Sequence, residues 1–136
     1  MSAAFQTARL SDIPNPPKVA ERVEPGDPTW HPIRHHFDIG AFGVNAWSGD
    51  DGSEVIEDHT EASGHEELYV VVSGRAAFTV GGAEVDAPAG TLVYVPDPET
   101  QRVAVAREPG TTVLALGGWR GRAFEVSEWE RRWTDG

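Results

Sequence analysis

His65-Glu66-Glu67-Leu68-Tyr69-Val70-Val71-Val72-Ser73-Gly74, then Arg75 to Val80, then Ala87-Pro88-Ala89-Gly90-Thr91-Leu92-Val93-Tyr94-Val95-Pro96 is the stretch on which the fold turns. Runs of β-branched and aromatic residues, each of strand length, alternate here with Ser-Gly, Gly-Gly and Pro-x-Gly, which close tight turns. The spacing predicts strands over 66–73, 75–80, 83–86 and 91–95. Gly81-Gly82 predicts a two-residue hairpin, because both central positions of such a turn favour positive φ. The same rhythm extends outward and gives strands over 41–47 and 54–60 upstream and over 101–107 and 111–117 downstream. Gly49-Asp50-Asp51-Gly52, Pro96-Asp97-Pro98 and Pro109-Gly110 separate them. Many short strands with this punctuation make an all-β sandwich or barrel.

The two ends read differently. Residues 1–30 carry Pro14, Pro16, Pro17, Pro25 and Pro28 among charged residues and read as a Pro-rich arm able to lie along a sheet edge. The barrel is then 31–126, and 127–136 holds a short C-terminal helix near 128–134. Ser127 is its expected N-cap, with Glu130 reaching back to complete a capping box. Trp129 and Trp133 share one helical face, which is expected to cover the outside of the barrel.

With 136 residues, the chain is one domain in size, and a 39% hydrophobic fraction supplies the core that a disordered chain would lack. Eleven Lys plus Arg against 22 Asp plus Glu give a net charge of −11, which repels phosphate backbones and anionic lipid heads, so neither nucleic acid nor a membrane is expected as partner. The absence of cysteine excludes disulfides, thiolate metal sites and a cysteine nucleophile. No G-x-S-x-G, Walker or dinucleotide glycine pattern is present. Met1 to Ala20 has no basic start followed by an apolar run, and no stretch nears the ~18 apolar residues of a span, so a cytoplasmic location is expected.

All five histidines, His31, His35, His36, His59 and His65, lie in the first half. Between His35 and Gly74 there is no Lys or Arg, yet nine acids occur: Asp38, Asp50, Asp51, Glu54, Glu57, Asp58, Glu61, Glu66 and Glu67. A period of two groups Val55, Glu57 and His59 against Ile56, Asp58 and Thr60, and groups His65, Glu67, Tyr69 and Val71 in the next strand. If the first set of each strand faces a lumen, Glu57, His59, His65 and Glu67 converge. Imidazole with carboxylate suits Mn, Fe, Ni, Zn or Cu, and the same residues can equally bond one another and water at a barrel mouth. His35 and His36, adjacent in an extended chain, point opposite ways and do not chelate together, which leaves them a surface or dimer role.

The stretch from His65 to Pro96 resembles the two sequence motifs of the cupin superfamily, within a region of similarity covering roughly 41–117. Glu67, six residues and Gly74 match the second half of G-x5-H-x-H-x3-4-E-x6-G, and Pro88-x-Gly90 with Pro96 matches a loose form of the second motif. The resemblance implies a double-stranded β-helix, or jelly-roll barrel. It also implies a small-molecule ligand inside the barrel at a divalent metal (Mn, Fe, Ni or Zn), and a homodimer paired through sheet edges. Metal sites of the family use three histidines and one glutamate. Glu67 stands in the glutamate position, Ala62 and Ser63 stand where the H-x-H would end, and His59 is the nearest substitute. Gln101 stands at the third histidine, and the alternation Gln101, Val103, Val105 turns it inward. The expected metal set is therefore His59, His65, Glu67 and Gln101, with Glu67 and Tyr69 as the catalytic groups that would handle protons in an oxygenase, isomerase or lyase. The alternative is a metal-free ligand-binding or sensing module, motivated by Gln101 and the missing H-x-H.

Overall fold

The computed structural model describes residues 4–135, so 1–3 of the expected arm and Gly136 of the expected helical segment lie outside the described residues. In chain order the elements are a 3-10 turn Leu10–Asp12, α1 (Pro17–Ala20), β1 (Thr29–His31), α2 (Ile33–Phe37), β2 (Gly43–Gly49), β3 (Ile56–His59), β4 (Glu66–Ser73), β5 (Arg75–Val80), β6 (Ala83–Pro88), β7 (Leu92–Val95), β8 (Arg102–Ala106), β9 (Thr111–Gly118) and α3 (Glu128–Thr134). Two antiparallel sheets result, ordered β1-β2-β9-β4-β7 and β3-β8-β5-β6. Strands distant in sequence, β2 with β9 and β5 with β8, are therefore neighbours, as in a jelly roll.

Alternation produces the core. Tyr69 and Val71 of β4, Phe78 of β5, Val95 of β7 and Val113 of β9 are each at most 1% exposed between the sheets. Burying a side chain of this size contributes about 1.5–3 kcal/mol. Gly81 and Gly82 have φ of 55° and 85° and close the expected hairpin between β5 and β6. Gly74, at φ 72° between β4 and β5, has no room for a side chain: a Cβ would lie 2.7 Å from the Thr111 Cα.

The arm and the C-terminal segment hold what the strand pattern does not show. Thr29–His31 forms β1 at the edge of the five-stranded sheet. It is fixed to the preceding turns by a 2.7 Å hydrogen bond between His31 Nδ1 and the Ile13 carbonyl, and by Trp30 N–H donating to Asn15. His35 and His36 lie exposed on the short helix α2, not on an extended chain. Ser127 occupies the N-cap of α3 but makes no side-chain capping bond, and Glu130 does not return to it. Glu130 is instead buried and accepts a 2.5 Å bond from the buried Arg34 Nε, because a carboxylate that close to a desolvated guanidinium gains more there than at an exposed cap. Trp129 is 39% exposed and packs its ring 5.3 Å from Trp30 of the edge strand β1. Among the described residues no helix is long and apolar enough to cross a membrane.

Candidate functional site

Strand β3 is irregular. Ile56 pairs with Ala104 and His59 with Arg102, so three steps on one strand match two on the other, the signature of a β-bulge. The bulge places Ile56 in the core, leaves Glu57 and Asp58 exposed and returns His59 to the interior. Strict alternation, which would have brought Glu57 in with His59, fails at this residue. In β4 the alternation holds, and Glu67 and Tyr69 point inward.

His59, Glu61 and Glu67 each offer a donor atom, and the three atoms lie within 4.8 Å of one another. His59 Nε2 is 3.4 Å from Glu61 Oε2 and 3.9 Å from Glu67 Oε1. The other ring nitrogen, Nδ1, bonds the Glu57 carbonyl at 2.5 Å, which directs Nε2 at the two carboxylates. The Ser63 hydroxyl donates to Glu61. Arg102 replaces Gln101 at the lumen. Gln101 is exposed and donates to Asp58 on the outside, while Arg102 is 0% exposed and donates through Nη1 to Glu67 Oε1 at 2.8 Å. The inward set of β8 is Arg102, Ala104 and Ala106. The parity is one residue away from the sequence reading, because a strand's side-chain period of two makes a single-residue offset exchange its faces. The rest of the guanidinium is held by the Thr100 carbonyl (3.0 Å to Nε, 2.8 Å to Nη2) and the Asp97 carbonyl (3.2 Å).

The charges of this cluster depend on one another. The hydrogen bond to Glu61 chiefly holds the His59 imidazole above its usual value, against burial. Burial pushes Glu61 up, but its bonds from His59 and Ser63 outweigh that and keep it below the usual carboxylate range. Burial, with the neighbouring Glu61 charge, pushes Glu67 up. Tyr69 donates its hydroxyl to Glu67, and burial together with the Glu67 charge keeps the phenol protonated far above its usual value. Tyr69 is thus a neutral donor that orients Glu67.

His65 stands apart from the three-residue cluster. It is buried, its Nε2 has no partner, and its ring lies edge-on to Trp119 at 4.3 Å. Burial pushes its imidazole down, towards the neutral form. Of the expected metal set, then, the structure brings together His59 and Glu67, keeps His65 among aromatic rings, and turns Gln101 out. The residues missed are Glu61 and Arg102. His59-Thr60-Glu61 has the spacing of an H-x-H with its second imidazole exchanged for a carboxylate, and that was the available signal for Glu61. One large cavity of about 860 Å³ joins this cluster to a vestibule built by α1, α3 and the barrel mouth.

No protein-family model matches the chain, and no curated protein does. Solved structures do. KdgF from a Halomonas species is 22% identical, with 79% of this chain and 86% of that one covered and a TM-score of 0.61. A cupin protein from Bacteroides fragilis is 17% identical over 99% of this chain and 97% of that one, with a TM-score of 0.62. A sugar phosphate isomerase of the cupin superfamily from Silicibacter pomeroyi is 17% identical over 68% of this chain and 59% of that one, with a TM-score of 0.58. The class is therefore settled at the level of architecture: the chain has the cupin fold, an all-β jelly roll with a short C-terminal helix.

Proposed function

We propose that this protein binds a small molecule inside the barrel beside a divalent cation held by His59, Glu61 and Glu67. The observation that carries the reading is the convergence of one imidazole nitrogen and two carboxylates on a common point. Ligands about 2.0–2.2 Å from one ion are spaced about 3–3.5 Å apart; the 3.4 Å between His59 Nε2 and Glu61 Oε2 meets this, and the 3.9 Å to Glu67 Oε1 calls for a small inward shift of Glu67, so the residues fit a cation once Glu67 closes in. A mixed nitrogen and oxygen set of this kind favours Mn or Fe over softer ions. A bound cation would supply a Lewis acid for a ligand oxygen. The chain's own residues hold the set in place: the Glu57 carbonyl fixes the His59 ring and the Tyr69 hydroxyl orients Glu67, the carboxylate for which Arg102 competes.

The test is metal content by plasma mass spectrometry on wild type, His59→Ala and Glu61→Ala. Near-stoichiometric metal in the wild type, lost in both variants, is the expected result. No metal after reconstitution with Mn, Fe, Ni and Zn would overturn the reading. One observation favours a metal-free binding module instead: Arg102 already neutralises Glu67. That reading predicts ligand binding unchanged in strong chelator.

A homodimer belongs to the same proposal. β7 is the free edge of the five-stranded sheet, and Leu92, Tyr94 and Val72 on it and on neighbouring β4 are 62%, 49% and 48% exposed. Light scattering showing a dimer that Leu92→Glu converts to monomer is the expected outcome; a wild-type monomer removes the pairing.

A further inference from the structure

The cavity is larger than a cation with a few ligand atoms requires, and its outer part is chemically unlike its inner part. Trp47 on β2, Trp30 on β1, Phe124 after β9, and Trp129 and Trp133 on α3 all line it. Four of the chain's five tryptophans thus face one space, drawn from two strands and a helix. Room for the rings is left by glycine: a Cβ on Gly43 would lie 3.1 Å from the Phe124 ring. The α3 side of this vestibule is fastened to the arm, since Lys18 Nζ donates to the Arg132 and Asp135 carbonyls and the Arg22 guanidinium lies 5.3 Å from the centre of the Trp133 ring.

Charge narrows what fits. Among the described residues, Arg22 is the one Lys or Arg that lines the cavity, against Asp27, Glu54, Glu57 and Glu61, while the lining Glu67 and Glu130 are paired with Arg102 and Arg34. Arg22 is already held by the Lys18 carbonyl and the Trp133 face, and the guanidinium of Arg102 is committed to Glu67 and backbone carbonyls. A phosphate dianion finds one exposed guanidinium here, Arg22, which lies 3.8 Å from Glu21, and otherwise faces carboxylates. Flat aromatic walls instead reward a planar apolar body, since ring pairs contribute about 0.5–1.5 kcal/mol beyond area burial.

We propose that the tryptophan vestibule is a second subsite, which takes the planar, uncharged ring body of the ligand and discriminates against phosphorylated sugars. The proposal rests on the reading of the barrel as a small-molecule site but not on the cation. The probe is 2-naphthol, a neutral fused ring with one oxygen donor, titrated by calorimetry in EDTA beside glucose 6-phosphate. Wild type, Trp47→Ala, Trp133→Ala, Trp133→Leu and, as a control outside the cavity, Asp86→Asn are compared, each checked for folding by circular dichroism. Trp133 lies on a surface helix, so its variants remain informative if Trp47→Ala does not fold. The expected result is saturable naphthol binding, weakened roughly three- to tenfold by either Trp133 substitution and unchanged by Asp86→Asn, with no heat from glucose 6-phosphate. Absence of naphthol binding, equal binding by the Trp133 variants, or glucose 6-phosphate binding as tightly as naphthol overturns it. Because chelator is present throughout, this outcome is read independently of metal content, so failure of the cation reading and failure of the vestibule are distinguishable.

Discussion

Replacing Arg102 by methionine removes a buried charge while keeping an unbranched chain of similar length. In the wild type its side chain is 0% exposed, with one charged bond to Glu67 and bonds to the Thr100 and Asp97 carbonyls. Bonds to charged groups contribute about 1.5–3 kcal/mol each, and removing one partner of a buried ion pair costs about 3–5 kcal/mol. The value lies within that range and not at the sum of the bonds, because burial already disfavours the charge on Glu67 that the guanidinium stabilises. For 136 residues, unfolding entropy of about 0.29 kcal/mol/K turns 3–5 kcal/mol into a fall in Tm of about 10–17 °C. Urea unfolding of metal-free protein, followed by tryptophan fluorescence, is the assay. Repeating it with Mn2+ adds a second readout, because a cation that binds the folded state stabilises it by mass action. Arg102→Met leaves Glu67 free for that cation, so the variant gains more from Mn2+ than the wild type does. A loss below about 1 kcal/mol without metal would refute the buried pair. Equal Mn2+ stabilisation of both proteins would refute the competition between Arg102 and a cation for Glu67.

Gly74→Ala is expected to cost about 2–4 kcal/mol in urea melts, from strain at φ 72° and the Thr111 backbone in its way, whereas Gly90→Ala, at φ 93° in open space, bears only the strain of about 1 kcal/mol. Glu130→Ala leaves the buried Arg34 unpaired and is expected to cost about 3–5 kcal/mol, while Arg34→Met combined with Glu130→Leu recovers most of that loss in the same assay. The Arg75 guanidinium holds the Asp86 carboxyl below its usual value, so this pair stabilises above the unfolded Asp value and its contribution is lost as pH falls through the folded one. The stability difference between wild type and Asp86→Asn is therefore expected to be present near pH 6 and to shrink as pH falls below the unfolded Asp value of about 3.9 and through the folded one, read by urea melts as pH is lowered.

Where sequence and structure agree, local chemistry decides the outcome. Val, Tyr and Phe alternation with Gly-Gly and Pro-x-Gly punctuation is self-sufficient, so β4, β5 and the hairpin after it lie where the spacing puts them. Glu67 and Tyr69 follow because β4 keeps its period. The rest of the site depends on events that leave little mark in sequence. A bulge between Ile56 and His59 has no required residue, so the face of Glu57 was not fixed by pattern. At β8 both parities present apolar residues, Val103 and Val105 or Ala104 and Ala106, and the strand turns the smaller pair to the interior with Arg102 beside them. Pattern alone does not place an arginine in a lumen unless its partner is known, and Glu67 is 35 residues away. Glu130 illustrates the same limit: a capping box is a local expectation, and the competing partner, Arg34, lies 96 residues upstream.

The two departures from the metal pattern that the resemblance implies are coupled through charge. Three neutral imidazoles and one glutamate carry a net −1. In this chain Glu61 adds a negative charge beside His59 and Glu67, and Arg102 adds a positive one on the far side of Glu67, so the set of four again carries −1 when His59 is neutral. Each exchange alone would shift the field by a full unit charge within a few ångströms, which in a partly buried site changes cation affinity by more than the choice of donor atom does. The cluster then has three donor side chains, a buried guanidinium behind Glu67, and the aromatic vestibule in the same cavity. On the proposed reading, a ligand entering that way passes aromatic rings interspersed with Asp27, Glu54 and Arg22, so the vestibule as well as the cluster sets the kind of molecule admitted.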